Sequence, residues 1–333
     1  MKAAVLRGQN QPIEIREVAD VYPGRNQVKV AVKYAALNHR DVWIQAGRYP
    51  GQCESLVLGS DGAGVVESGG EGVDKAWVGK EVIINPSHGW GENPRVQAAD
   101  YKVLGNPDPG TFSDYLVVEE KYLQPKPKHL SFVEAAALPL SCLTAYRALF
   151  TRCQLQPGET VLANGIGGGV ALFVLQLAHA FGAKTYVTSS STAKIERTVA
   201  LGAAGGFNYT SAAWVQQARA VSGGFDVIID GAAGPRFSDL VELANPGGRI
   251  GLYGQTAGPI KGLLPAKLFW RQLSILGTTM GSEADFTTMV KFCEEKKIKP
   301  VIDEIFPLEQ AEAAFRKMAD GKQFGKIVLK IAS

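Results

Sequence analysis

One stretch limits the possible folds more than any other. Residues 161–171 read VLANGIGGGVA: a short apolar run of strand character, a glycine cluster, then an amphipathic pattern that predicts a helix from Val170 to Phe181. Glycine reaches positive φ without steric penalty and lets a backbone approach a ligand closely. A helix that starts there aims unpaired N–H groups and a partial positive charge at an anion. Strand, glycines and helix in this order form the diphosphate cradle of a parallel α/β sheet. Gly168 and Gly169 are in place; Ala171 stands for the last glycine of the usual pattern and still allows close helix–strand packing.

The flanking sequence extends this unit. Lys184–Thr188, Phe225–Asp230, Gly248–Tyr253 and Leu273–Gly277 read as buried strands, and Thr192–Leu201 reads as a helix between two of them. Strands alternating with helices predict a doubly wound parallel sheet of Rossmann type, covered on both faces. The first third differs. Gln27–Tyr34 alternates polar and apolar residues, and Gly59–Glu67, Lys80–Asn85 and Ser113–Val118 are further short strands among dense Gly and Pro, so an antiparallel β unit is expected. The tail offers a helix, Glu309–Lys317, and a closing strand, Gly325–Ile331. The fold class is therefore α/β in two domains. A β-rich domain built from residues 1–123 and 273–333 is interrupted by a dinucleotide domain, residues 124–272, which begins at the Pro-rich Gln124–Pro127.

Several classes of function are excluded. The net charge of +3 comes from scattered Lys and Arg, too mild and too dispersed for a nucleic-acid partner. The longest apolar stretch, Val170–Ala178, is broken by Gln176 and too short to span a bilayer, and the first residues lack the apolar core of a signal peptide; a cytoplasmic location is expected. Cys53, Cys142, Cys153 and Cys293 form no CxxC pair, which predicts reduced thiols in or near the cores rather than a disulfide framework or a zinc site.

The end of the second strand bears on the nucleotide. An NAD site usually places an acid there, against the ribose hydroxyls. Here the sequence continues TSSSTAKIER: Ser189, Ser190 and Ser191 supply hydroxyls and Lys194 a cation, a set that suits an adenosine 2′-phosphate. The expected cofactor is NADPH.

With these residues in place the chain resembles the medium-chain dehydrogenase/reductase family along nearly its whole length. The resemblance is carried by ALNHRD (Ala36–Asp41), GRYP (Gly47–Pro50), LGSDGAG (Leu58–Gly64), LTAY (Leu143–Tyr146), the glycine loop, TSSSTAK, FNY (Phe207–Tyr209), DGAAG (Asp230–Gly234), GGRIGLYG (Gly247–Gly254) and GKIV (Gly325–Val328). It implies a GroES-like β domain joined to a Rossmann domain. Zinc members of the family place a cysteine where this chain has Asn38 and Gly-His-Glu where it has Gly59-Ser60-Asp61, and the cysteine-rich structural zinc lobe is replaced by the cysteine-free Asn85–Gly110. The chain is similar in this to zinc-free quinone oxidoreductases, so no metal is expected. The resemblance further implies that Thr144 faces the nicotinamide end, that Gly167, Gly168, Gly169 and Val170 contact the pyrophosphate, with His39 also near it, and that Ser189, Lys194 and Tyr209 hold the 2′-phosphate. Tyr253 and Gly254 would lie along the adenine ribose, and Lys326 would approach the cofactor. One departure is Trp43, where quinone oxidoreductases often carry tyrosine; Tyr49 is retained.

Without zinc no Lewis acid polarises a carbonyl. An extended acceptor such as a quinone or enone suits such a site, because conjugation spreads the developing charge. Asn38 and Tyr49 are the expected hydrogen-bond donors, with Asp41 orienting the neighbouring loop. The long segment 87–110, with His88 and Trp90, is expected to shape the substrate pocket or a subunit contact; His129 and His179 are read as surface or helix histidines. Two alternatives stay open: an alcohol or aldehyde dehydrogenase holding zinc through unconventional ligands, and a non-catalytic NADPH-binding sensor. The expected partners are a small-molecule substrate and further copies of the chain, as a homodimer or homotetramer.

Overall fold

The alternating segment near the N-terminus forms the central strand of the first unit. In the computed structural model, which describes residues 1–49 and 55–331, Gln27–Ala36 is a ten-residue strand with Val28, Val30 and Val32 fully buried. It pairs antiparallel with Asp61–Gly69, Tyr115–Glu119 and Lys326–Lys330, and the last pairing sets Val328 opposite Ala36. Lys326–Lys330 also runs parallel to Ile302–Pro307. Strands from the first third of the chain and from its last segment thus build one seven-stranded sheet, while Lys2–Leu6 and Ile13–Glu17 belong to a separate three-stranded sheet. Its core includes Val66, Ile84, Phe112, Phe315 and Leu329.

This unit is not all β. It carries the helices His39–Gln45, Phe132–Ala136, Glu283–Lys296 and Ala311–Ala319. Glu283–Lys296 opens with a capping box between Ser282 and Asp285, a local signal present in the sequence SEAD. In Ala311–Ala319 the buried Phe315 meets Phe112 edge-to-face at 6.1 Å.

The second unit contains six parallel strands, labelled here β1 (Thr160–Ala163), β2 (Lys184–Ser189), β3 (Gly205–Asn208), β4 (Phe225–Asp230), β5 (Ala244–Leu252) and β6 (Ser274–Gly277), in the order β3-β2-β1-β4-β5-β6. Leu162 lies between Tyr186 and Ile228 in register, all three buried. The strand order reverses between β1 and β4, and a crevice at the carboxyl ends of such strands is where doubly wound sheets take ligands. The strand β3 has the sequence GGFN, whose glycines give no propensity signal; it is held by its ladder with β2.

Contacts divide the chain into Met1–Leu143 with Gly281–Ser333, and Thr144–Met280. The sequence reading placed the divisions near 123 and 273. Residues 124–143 go with the first unit because Phe132–Ala136 packs on Gln27–Ala36 and Asp61–Gly69, and β6 stays with the second because it extends the parallel sheet. Pro50 of the GRYP motif and Cys53 lie outside the described residues. Among those described, no helix is long and apolar enough to cross a membrane.

Candidate functional site

In the first unit a buried polar cluster gathers residues far apart in sequence. Asn38 ends the loop before His39–Gln45, Asp61 opens the strand Asp61–Gly69, Ser141 lies on the helix Pro139–Tyr146, and Lys326 opens Lys326–Lys330. The Lys326 ammonium donates to Asn38 Oδ1 at 2.6 Å, to Asp61 Oδ2 at 2.9 Å and to Ser141 Oγ at 3.4 Å. Three acceptors meet its three N–H donors. Asp61 is fully buried and accepts in addition from Asn38 Nδ2 at 3.0 Å and from the Leu140 backbone N–H at 2.7 Å. These contacts fix the Asn38 amide: its oxygen faces the ammonium and its nitrogen the carboxylate.

A second cation is buried alongside. Arg40 donates to Ser60 Oγ at 2.6 Å and to the Leu104 carbonyl at 2.8 Å, and lies 3.8 Å from the Asp41 carboxylate. Asp41 is fully buried and accepts the Asn38 backbone N–H at 2.8 Å. Burial pushes its pKa up to about 6 from 3.8, against the opposing pull of the Arg40 guanidinium. Asp41 therefore holds the backbone of Asn38 in place. Asp61, Ser141, Arg40 and Ser60 were not among the expected site residues, although LGSDGAG and ALNHRD contain three of them.

This donor set does not fit zinc. Asn38 and Ser60, which the family resemblance sets at ligand positions of zinc members, are both engaged by positive charge, Asn38 by Lys326 and Ser60 by Arg40. A divalent cation among them would face two buried like charges with neither thiolate nor imidazole to hold it.

The second unit carries the glycine cradle. The helix Gly169–Ala180 has Gly168 as its N-cap with no side-chain cap, so its first N–H groups are left for another partner. Gly165, at φ 75°, and Gly168 face open space: a Cβ on either would meet no atom within 4 Å. The loop is braced from below. Asn164 Nδ2 donates to the buried Asp230 at 2.7 Å, Asn164 Oδ1 accepts from Thr188 Oγ1 at 2.5 Å, and the Gly165 N–H donates to Thr188 Oγ1 at 2.9 Å. The carboxyl ends of β1, β2 and β4 are thereby tied to one another. The cradle fits a dinucleotide diphosphate.

Other expected residues of this unit lie at the ends of its strands, Ser189 closing β2 and Tyr253 following β5. Ser189, at the end of β2, accepts the Ser191 N–H at 3.1 Å through its hydroxyl, and Ser191 caps the helix Thr192–Val199 by accepting from the Lys194 N–H. Ser190 is exposed. Tyr209 donates its backbone N–H to the Ser189 carbonyl at 3.1 Å, which sets it beside the serine turn. The half-buried Tyr253 packs its ring where a Cβ on Gly231 would stand, and burial together with the Asp230 carboxylate raises its pKa. Gly254 helps line a cavity of about 410 Å³ with Ala233, Leu252, Gln255, Pro259 and Ile260. Thr144 is buried, its hydroxyl 3.9 Å from the sulfur of Met280.

Tyr49 and His39 share no hydrogen bond with the Asn38–Lys326 cluster, although desolvation of the His39 ring, and after it the Lys326 charge, lowers the His39 pKa. Tyr49 packs on the core of the first unit with the Arg40 guanidinium 5.1 Å from its ring. His39 is exposed, 6.2 Å from the ring of Trp43. In the long loop His88 stacks on Tyr122 at 3.8 Å and bonds the Asn85 carbonyl at 2.9 Å; burial lowers its pKa to about 4. Trp90 is buried against Tyr101, so the base of the loop is a small aromatic core and residues 91–97 are its exposed tip. Cys142, Cys153 and Cys293 are buried free thiols, with the sulfurs of Cys142 and Cys293 only 3.6 Å apart although 151 residues separate them.

Comparison with known proteins agrees with both units. Residues 24–128 match the family model described as an alcohol dehydrogenase GroES-like domain, and residues 201–329 the model described as a zinc-binding dehydrogenase. A zinc-type alcohol dehydrogenase-like protein of Leptosphaeria maculans is 35% identical over 96% of this chain and 95% of its own length. A quinone oxidoreductase of Mus musculus is 29% identical over 92% and 90%, and an acryloyl-coenzyme A reductase of Sulfurisphaera tokodaii 29% over 99% and 100%. The crystal structure of an NAD-dependent alcohol dehydrogenase superposes with a TM-score of 0.95 at 38% identity, covering both chains fully. A β unit closed by both chain ends, an inserted six-stranded sheet with its glycine cradle, and relatives matched from end to end lead to one assignment: the chain is an oxidoreductase of the medium-chain dehydrogenase/reductase superfamily.

Proposed function

We propose that the protein reduces a conjugated carbonyl acceptor, a quinone or enone, with NADPH and without zinc. The observation that carries this reading is the buried Lys326 ammonium, bonded to Asn38, Asp61 and Ser141 where zinc relatives gather metal ligands. An isolated carbonyl reduced at such a site lacks its Lewis acid, whereas a conjugated acceptor delocalises the charge that hydride addition creates. Two of the relatives, the quinone oxidoreductase and the acryloyl-coenzyme A reductase, are named for conjugated acceptors.

NADPH, when bound, supplies the hydride. The chain supplies the rest. Gly167 to Val170 and the start of their helix hold the diphosphate; Ser189, Ser190, Ser191, Lys194 and Tyr209 hold the 2′-phosphate; Tyr253 and Gly254 line the ribose, while Thr144 and His39 position the nicotinamide half. Asn38 donates its second amide hydrogen to the acceptor oxygen, held in the donating orientation by Asp61 and Lys326, with Tyr49 as a further donor. Lys326 acts on the cofactor side through this cluster. A second copy of the chain docks on the outer edge of β6, where Phe269 and Trp270 are 58% and 79% exposed.

A steady-state screen with NADPH across quinones, enones and simple aldehydes, run with and without chelator and alongside metal analysis, tests the proposal. Turnover of conjugated acceptors with no bound zinc and no chelator effect is expected. Stoichiometric zinc with activity lost on chelation would overturn it, as would tight NADPH binding without any turnover. NADH as the true reductant is a second reading, favoured by the NAD-dependent solved relative.

A further inference from the structure

We propose that Arg236 is a second cation for the adenosine 2′-phosphate and so a determinant of cofactor choice; this rests on the NADPH reading above. A phosphate monoester carries roughly −1.5 to −2 charge at pH 7. Lys194 alone would leave much of that charge uncompensated. No acid lies between Thr188 and Lys194, so the serine turn itself is uncharged apart from the lysine.

The second charge comes from the other side of the turn. Asn208 pairs with Ser189 in the β2–β3 register, and its amide donates to the Ser190 carbonyl at 3.3 Å. Tyr209 follows, tied to Ser189 through its N–H. The Arg236 guanidinium donates to the Tyr209 carbonyl and lies 5.9 Å from the centroid of its ring. Arg236 is exposed and has no carboxylate partner among the described residues. Its backbone stands at the N-cap of the helix Phe237–Leu243, after a turn in which Asp230 accepts from the N–H groups of Ala232 and Ala233. A guanidinium anchored at its base, unpaired with any acid and resting on the tyrosine beside the serines, presents planar donors that match phosphate oxygens. Sequence reading missed it because 27 residues separate Arg236 from Tyr209.

Isothermal titration of NADPH and NADH into the wild type, R236A, R236Q and K194A separates the claims. R236A and R236Q are expected to weaken NADPH about 10-fold while NADH changes less than about twofold. R236Q keeps a donor for the Tyr209 carbonyl and removes only the charge, so an equal loss in both variants assigns the effect to charge. If K194A discriminates between the cofactors and the Arg236 variants do not, the role of Arg236 is refuted and the NADPH reading stands. If none of the variants discriminates, both fall. Matching circular dichroism and melting temperatures show that any loss is not one of folding.

Discussion

Replacing Lys326 by Met tests the cluster on which the functional reading depends. The methionine keeps the length of the side chain and removes the ammonium, leaving the fully buried Asp61 with only Asn38 Nδ2 at 3.0 Å and the Leu140 N–H at 2.7 Å. Removing one partner of a buried ion pair costs roughly 3–5 kcal/mol; the two surviving donors put the expectation near ~3 kcal/mol. Asp61→Asn alone strands the ammonium and should cost a similar amount. The double variant leaves no charge unpaired and should lose only ~1 kcal/mol, a coupling of about 5 kcal/mol. Urea unfolding at pH 7 followed by fluorescence gives the overall stability, and hydrogen exchange of amides in Gln27–Ala36 and Lys326–Lys330 isolates the first unit, where a chain of two units need not unfold in one step. The reasoning is refuted if Lys326→Met loses less than ~0.5 kcal/mol, or if the two single losses simply add. A variant of unchanged stability with NADPH affinity lowered many-fold would instead show that Lys326 serves the cofactor directly, as the family resemblance implies.

Three further outcomes are expected. Gly168→Val should melt within a few degrees of the wild type, because Gly168 has φ −82°, ordinary for any residue, and a Cβ there meets nothing, yet NADPH affinity should fall more than about 10-fold by titration; retained affinity would remove the cradle from the site. Asp41→Asn should flatten part of the pH dependence of stability: the raised pKa of about 6 means that the Asp41 contribution is fully present below pH 3.8 and lost as pH rises through 6, so the variant should gain up to ~3 kcal/mol on the wild type between pH 4 and pH 7 in urea titrations, and parallel profiles would contradict this. On the proposed self-association, the wild type should sediment as a dimer or tetramer and Trp270→Glu as a monomer, since it sets a charge on an aromatic that is 79% exposed; a monomeric wild type would refute the self-association, and an unchanged sedimentation coefficient in the variant would refute this interface.

What the sequence made legible follows from the range of the forces involved. The cradle was readable because every part of it is local: β1, the glycines and the helix Gly169–Ala180 are consecutive, and their chemistry is set by φ freedom and by a helix terminus. The strand Gln27–Ala36 and the closing strand Lys326–Lys330 were readable from apolar patterning, and their pairing was inferable because an edge must be covered. Lys326 and Asp61 were both in view, but their ion pair closes over 265 residues and no periodicity announces it. Asp61 itself reads as a polar residue in a glycine-rich strand, and only burial turns it into a group that requires a cation. The same holds for Arg40, whose guanidinium looks like a helix-surface charge until Ser60 and Leu104 surround it. A buried charge is stable only through its partner, so its meaning becomes readable when the partner is known. That explains why the one-dimensional motif gave only the residue types at Asn38 and Ser60, and not the cations that stand beside them. Asn38 and Ser60 are each bonded to a buried cation, Lys326 and Arg40, and on the proposed zinc-free reading this protein charge stands where a metal would; the Lys326→Met cycle measures what it contributes.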